Sequence, residues 1–147
     1  SRVKVMGLPD GRIEVLTAAT EVGQGTTTIL AKLAADRLRI DPDRVDVAPP
    51  DTARVLDSGP TVASRTAMVV GKLVEDACDD LRRRVELGPM AGGDAVFAAI
   101  VAWHRAHPGL RLLGEARYRR PAKQSWEPTL HHGVARRARA WIETAQP

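Results

Sequence analysis

The stretch Glu21-Val22-Gly23-Gln24-Gly25-Thr26-Thr27-Thr28 decides how this chain reads, because an alternating run precedes it and the first helical periodicity begins inside it. Its two glycines let the backbone take φ > 0 and come close to a ligand. Its three threonines supply hydroxyls and N-cap candidates where a helix leaves its first amides unpaired. Such a turn suits an anionic or carbonyl-rich ligand. Gln24 adds a neutral amide that donates and accepts at once, as reading the edge of a heterocycle requires. Gly-x-Gly outside a full fingerprint is a weak signal, and the same residues would also serve as a plain strand-to-helix turn.

Upstream of the turn, Val3 and Val5 alternate with polar neighbours, as do Ile13, Val15 and Thr17, with Leu8-Pro9-Asp10-Gly11 between the two runs. Asp-Gly in that position is a strong hairpin signal. It predicts antiparallel strands over residues 2–7 and 12–19. Downstream, Ile29, Leu30, Leu33, Ala34 and Leu38 recur at helical spacing over 27–38, and Asp41-Pro42-Asp43 stops the helix. Val45 and Val47 flank Asp46 in a short strand that ends at Pro49-Pro50.

Residues 49–61 form a polar connection longer than packing requires, and long ordered loops tend to carry function. At its end, Ser58, Thr61 and Ser64 stand at three-residue intervals around a helix start, with Gly59 and Pro60 between them. Hydroxyls and free amides converge there again, although Ser58 or Thr61 as an ordinary N-cap explains the pattern equally well. The following helix is predicted over 62–87, with Ala63, Ala67, Val70, Val74, Ala77, Leu81 and Val85 on one face, ending at Gly88-Pro89. Its Asp79, Asp80 and Arg82-Arg83-Arg84 read as a solvated charged end.

A third helix starts after Gly92-Gly93 with Asp94 as its N-cap and runs to Pro108-Gly109, carrying Val96, Phe97, Ile100, Val101 and His104 at a 3.6-residue period. His104 and His107 read as cations at its C-terminal end, since no carboxylate or cysteine cluster accompanies them as in a metal site. Residues 110–118 read as a strand interrupted by Gly114. The pattern deteriorates after Pro121, where apolar residues are separated by charges, Pro and His. These elements predict an α+β fold with α/β-like layers: an N-terminal β-hairpin, then alternating helices and strands, with the helices packed on a small mixed sheet.

Composition sets the outer bounds. A chain of 147 residues with 44% hydrophobic and 27% charged residues supports one core, and 3% aromatics means a core of Val, Leu, Ile and Ala. No apolar run approaches the ~20 residues that span a bilayer, and the N-terminus lacks a signal-peptide apolar segment, so a cytoplasmic protein is expected. The single cysteine, Cys78, excludes an internal disulfide and reads as a buried or incidental thiol. The net charge of +4 is uneven: residues 100–147 hold nine Lys or Arg against three acids, leaving a balance of −2 before them. A basic tail can attract polyanions. The absence of any nucleic-acid motif argues against specific nucleic-acid binding and leaves a stand-alone polyanion module as the competing function.

Both loops, in their order and spacing, and the pair Asp51-Thr52 resemble the molybdenum hydroxylases, the xanthine dehydrogenase and aldehyde oxidase family, in their large molybdopterin-binding subunit. The resemblance covers residues 3 to about 121. It divides the chain into a fragment of the molybdopterin-binding domain, 1–121, and a basic, atypical tail, 122–147. It implies that Gly23, Gln24, Gly25 and Thr26 meet the pterin and dithiolene side of the molybdenum cofactor, and that Ser58, Gly59, Thr61 and Ser64 bind its pterin or phosphate portion. Members of the family hydroxylate heterocycles or aldehydes with oxygen from water, and electrons pass to iron-sulfur and flavin centres. The family's catalytic glutamate lies in a Gly-Glu-Pro-Pro-like motif that does not occur here. The resemblance therefore implies an oxidoreductase segment that is inactive alone, with no catalytic or metal-ligating residue of its own. Its partners would be the remainder of the large subunit, the iron-sulfur and FAD subunits or domains, and a heterocycle or aldehyde substrate. The cofactor would be molybdopterin, either as such or as a dinucleotide.

Overall fold

Alternation along the first strand places Val3, Val5 and Gly7 on one side of a sheet and Lys4 and Met6 on the other, and the rest of the fold follows from covering the first side. In the computed structural model, described over residues 1–51, 53–54 and 66–119, the elements are β1 (Arg2–Gly7), β2 (Ile13–Leu16), α1 (Thr26–Leu38), β3 (Val45–Val47), α2 (Gly71–Arg84), α3 (Asp94–Ala106) and β4 (Leu112–Arg117). The predicted helix residues 62–65 and the tail 122–147 lie outside the described residues.

The four strands form one mixed sheet in the order β3-β2-β1-β4. β1 runs antiparallel to both neighbours, with Val5 opposite Val15 on one side and Gly114 on the other. β3 lies parallel to β2, Ile13 opposite Val45, so β2, α1 and β3 make a strand-helix-strand crossover. The α+β reading with helices on a small mixed sheet is what the structure shows.

The Asp-Gly hairpin forms as predicted. The Gly11 N–H donates to the Leu8 carbonyl at 2.8 Å with Gly11 at φ +89, and the Asp10 carboxylate accepts the Arg12 N–H at 3.0 Å. β2 is shorter than the predicted 12–19. Its Thr17 hydroxyl accepts the Ala19 N–H at 3.2 Å, a local bond that draws the backbone out of the ladder.

One core lies between the sheet and the helices. Ile13, Leu30, Leu38, Leu81, Ile100 and Leu112 are among its fully buried side chains, each contributing about 1.5–3 kcal/mol relative to exposure. Leu16 and Ala48, with Met6 and Leu113 against them, form a small apolar cluster on the opposite sheet face. Gly114 is the tightest point of helix-on-sheet contact. A Cβ there would stand 2.1 Å from the Ala77 carbonyl oxygen and 2.7 Å from the Leu81 nitrogen, so β4 passes α2 at a distance only glycine permits. What reads as an interruption of the strand is its docking point, and the strand continues through it.

Several boundaries and roles differ from the expectations. α1 ends at Arg39, which takes the left-handed conformation at φ +56. Asp41 instead caps the short 3-10 turn Pro42–Arg44 by accepting the Asp43 N–H at 2.9 Å. The second helix enters through a π-helical turn, Thr66–Val70, before becoming α-helical at Gly71. Gly93, not Asp94, is the N-cap of α3. The Arg82-Arg83-Arg84 run is not uniformly solvated: Arg82 is only 5% exposed and donates to the carbonyls of Gly88, Ala91 and Arg37 at 3.0, 2.6 and 2.9 Å. It ties the end of α2 to the 88–91 loop and to the end of α1. His104 brings its Nε2 within 2.7 Å of the Gly7 carbonyl and so bridges α3 to β1.

Candidate functional site

The turn between β2 and α1 lies at the carboxyl end of β2 within the crossover, where ligands meet α/β sheets. Gly23 and Gly25 stand at φ +102 and +83, a region L side chains rarely adopt, and among the described residues nothing lies within 4 Å of where a Cβ would project from either. At these two positions the turn presents bare backbone with no described residue against it. Val22 beside it is 81% exposed and Ile29, on the first turn of α1, 45%. The Thr66–Val70 turn packs against α1, and a Cβ on Gly71 just after it would meet Leu33 at 2.9 Å.

Inside the turn, the polar side chains of Glu21, Gln24, Thr26 and Thr27 bond to the turn itself. The Glu21 carboxylate accepts from the backbone N–H groups of Gly23 at 2.7 Å, Gly25 at 3.1 Å and Thr27 at 2.9 Å, and from the Thr27 hydroxyl at 3.2 Å. These bonds, that of the Thr27 N–H foremost, hold its pKa down at about 2. The Gln24 amide nitrogen donates to the Thr20 carbonyl and to the Thr26 hydroxyl, both at 2.7 Å, and its oxygen accepts the Val22 N–H at 2.7 Å. Thr26 is buried.

The threonines were the expected caps of α1, and this is corrected: the N-cap is Gly25, which offers no side chain, and the anion at the helix start is Glu21. The usual capping box places its acid after the cap, whereas here the acid precedes it by four residues, so no motif announces the role. Of the predicted site residues, Gly23, Gln24, Gly25 and Thr26 come together in this one turn. Ser58, Gly59, Thr61 and Ser64 lie outside the described residues, as does Thr52. Asp51 caps a turn of its own, accepting the Ala53 N–H at 2.9 Å.

Among the described residues no group of three His, Cys, Asp or Glu stands close enough to hold a metal ion, and no helix is long and apolar enough to cross a membrane. Cys78 is buried in the core, and desolvation pushes its thiol up to about 12, which makes it inert as a nucleophile.

The fold is a mixed α+β sheet with a glycine-rich strand-to-helix turn, and comparison with known proteins says to which family it belongs. Residues 1–97 match the molybdopterin cofactor-binding domain family. The chain is 32% identical over 92 residues to the xanthine dehydrogenase of Oryza sativa subsp. japonica, covering 63% of this chain and 7% of that protein. It is 36% identical over 61 residues to the 6-hydroxypseudooxynicotine dehydrogenase complex subunit gamma of Paenarthrobacter nicotinovorans, covering 42% of this chain and 8% of that one. Its fold superposes on the aldehyde oxidoreductase of Desulfovibrio gigas with a TM-score of 0.60 at 27% identity, over 79% of this chain and 13% of that one. The chain belongs to the molybdopterin cofactor-binding domains of the molybdenum hydroxylase family. It spans less than a tenth of the curated relatives named here.

Proposed function

We propose that this chain supplies one wall of the molybdenum cofactor site of an oxidoreductase that hydroxylates heterocycles or aldehydes with oxygen from water. The observation that carries the reading is the pair Gly23 and Gly25, each at positive φ with no described residue within 4 Å of its missing Cβ, within the stretch that matches the cofactor-binding domain. The residues present suit the neutral ring part of such a cofactor: a flat heterocycle can lie against peptide groups where a Cβ would otherwise intrude. When bound, the cofactor supplies the molybdenum chemistry. Gly23, Gln24, Gly25 and Thr26 shape the surface it rests on. Ser58, Gly59, Thr61 and Ser64 are proposed to bind its pterin or phosphate portion. The catalytic base, the remainder of the large subunit and the iron-sulfur and flavin centres come from other parts of the enzyme, and the chain is inactive alone. The competing reading, a polyanion module, draws no support from the matched family or from the relatives.

The test is the pterin content of the complete enzyme carrying Gly25→Val. A β-branched residue at φ +83 strains the backbone and puts a side chain on the proposed contact surface. Pterin per folded protein is expected to fall while the hairpin and core stay intact. Full pterin content in a correctly folded variant would remove this turn from the site.

A further inference from the structure

The N-terminus of α1 carries its own anion. One carboxylate, that of Glu21, collects the N–H groups of Gly23, Gly25 and Thr27 and the Thr27 hydroxyl, closing the segment 21–27 on itself. Two of the three amides belong to glycines at φ +102 and +83. Glycine takes positive and negative φ with similar ease, so the pair would exchange among many conformations if nothing held it. Around the carboxylate, Gln24 staples the inner side of the turn through Thr20, Val22 and Thr26, and no described residue lies within 4 Å of the missing Cβ of Gly23 or Gly25. The electrostatic consequence follows from position. A helix N-terminus ordinarily attracts a phosphate, but here the Thr27 amide of the first turn, with the Gly23 and Gly25 amides that lead into it, is already engaged by a negative group. A second anion would meet both the loss of donors and the repulsion of Glu21.

We infer that Glu21 is a positioning residue of the cofactor wall: it holds the Gly23–Gly25 turn as a preformed backbone surface for the cofactor's neutral ring and excludes the cofactor's phosphate from the start of α1. The inference rests on the cofactor reading above. A plain capping role would affect helix stability alone. A positioning role also changes how much cofactor the folded enzyme retains.

The experiment compares wild type, Glu21→Ala and the near-isosteric Glu21→Gln in two readouts. In the 147-residue chain, amide hydrogen exchange is followed at Gly23, Gly25 and Thr27, with the β1–β2 ladder as internal reference. In the complete enzyme, released pterin is measured per folded protein, with thermal melting recorded alongside. Glu21→Ala is expected to exchange the three amides about tenfold faster with the ladder unchanged. It is expected to lower pterin per folded protein about tenfold, a loss larger than the small fall in melting temperature that removing the carboxylate entails, and Glu21→Gln to fall between. Where the alanine variant does not fold, the glutamine variant carries both readouts. Wild-type exchange rates in the variants overturn the clamp and leave the cofactor reading standing. Deprotected amides with full pterin retention overturn the positioning role. A wild-type enzyme that carries no pterin overturns the cofactor reading itself.

Discussion

Glu21 and Arg82 are charged side chains that satisfy backbone groups, and each fixes the chain where a helix ends. For Glu21 the bonds to Thr27, Gly25 and Gly23 lower the folded pKa to about 2, below the ordinary value of 4.5. A depressed carboxylate contributes stability that is fully present above its unfolded pKa and is lost as pH falls through the folded one. The turn should therefore keep its amide protection from neutral pH to about pH 4 and lose it toward pH 2. A carboxyl 13C titration of Glu21 with a midpoint near an unperturbed glutamate would contradict this. For Arg82, replacement by Leu leaves the carbonyls of Gly88, Ala91 and Arg37 without their donor. A loss of about 2–3 kcal/mol is expected in urea unfolding, whereas Arg83→Leu, on an exposed side chain, should change stability by no more than about 0.5 kcal/mol. The buried Arg82 was legible in part: it lies four residues after Cys78, on the apolar side of α2, but the three consecutive arginines read as one solvated patch. Glu21 was not legible, because its partners are backbone amides whose direction only the folded turn sets.

At the scale of elements, the hairpin and α1 followed from local patterns, since Asp-Gly turn chemistry and 3.6-residue spacing act over a few residues. The ends did not follow. The Thr17–Ala19 bond shortens β2, and the left-handed Arg39 stops α1 without a glycine. Gly114 shows why: whether a glycine breaks a strand or docks it depends on what crosses it, and α2 is far away in sequence. Gly114→Ala places a methyl against the backbone of Ala77 and Leu81, which cannot yield as a side-chain tip can. A destabilisation of about 3 kcal/mol or failure to fold is expected by denaturant unfolding. Gly88→Ala, with open space around it and no positive φ, should be tolerated within about 0.5 kcal/mol. Equal effects of the two substitutions would rule out the close approach of α2 to β4.

For the whole molecule, the mixed sheet places the Gly23–Gly25 turn at the carboxyl end of β2, with no described residue against Gly23 or Gly25, which suits the proposed role as one side of a larger site. The chain spans 13% of the aldehyde oxidoreductase it superposes on, and on the proposed reading the cofactor site needs walls beyond this chain. The isolated chain is accordingly expected to fold but to show no substrate-dependent reduction of an artificial electron acceptor with purines or aldehydes. Turnover together with stoichiometric molybdenum would mean a complete active site in these residues. The turn was legible because glycines at a strand-to-helix junction are written in residue order, while the second, hydroxyl-rich loop lies outside the described residues. The inward turn of Gln24 and the burial of Thr26 depend on side-chain partners that spacing does not fix. The most direct measurement is the position of the cofactor in an experimental structure of the complete holoenzyme. The account predicts the pterin ring in van der Waals contact, within about 4 Å, of the Gly23–Gly25 backbone, with Glu21 still bonded to the amides behind it. A cofactor bound elsewhere, with this turn facing solvent or with phosphate replacing Glu21 on the α1 amides, would contradict it.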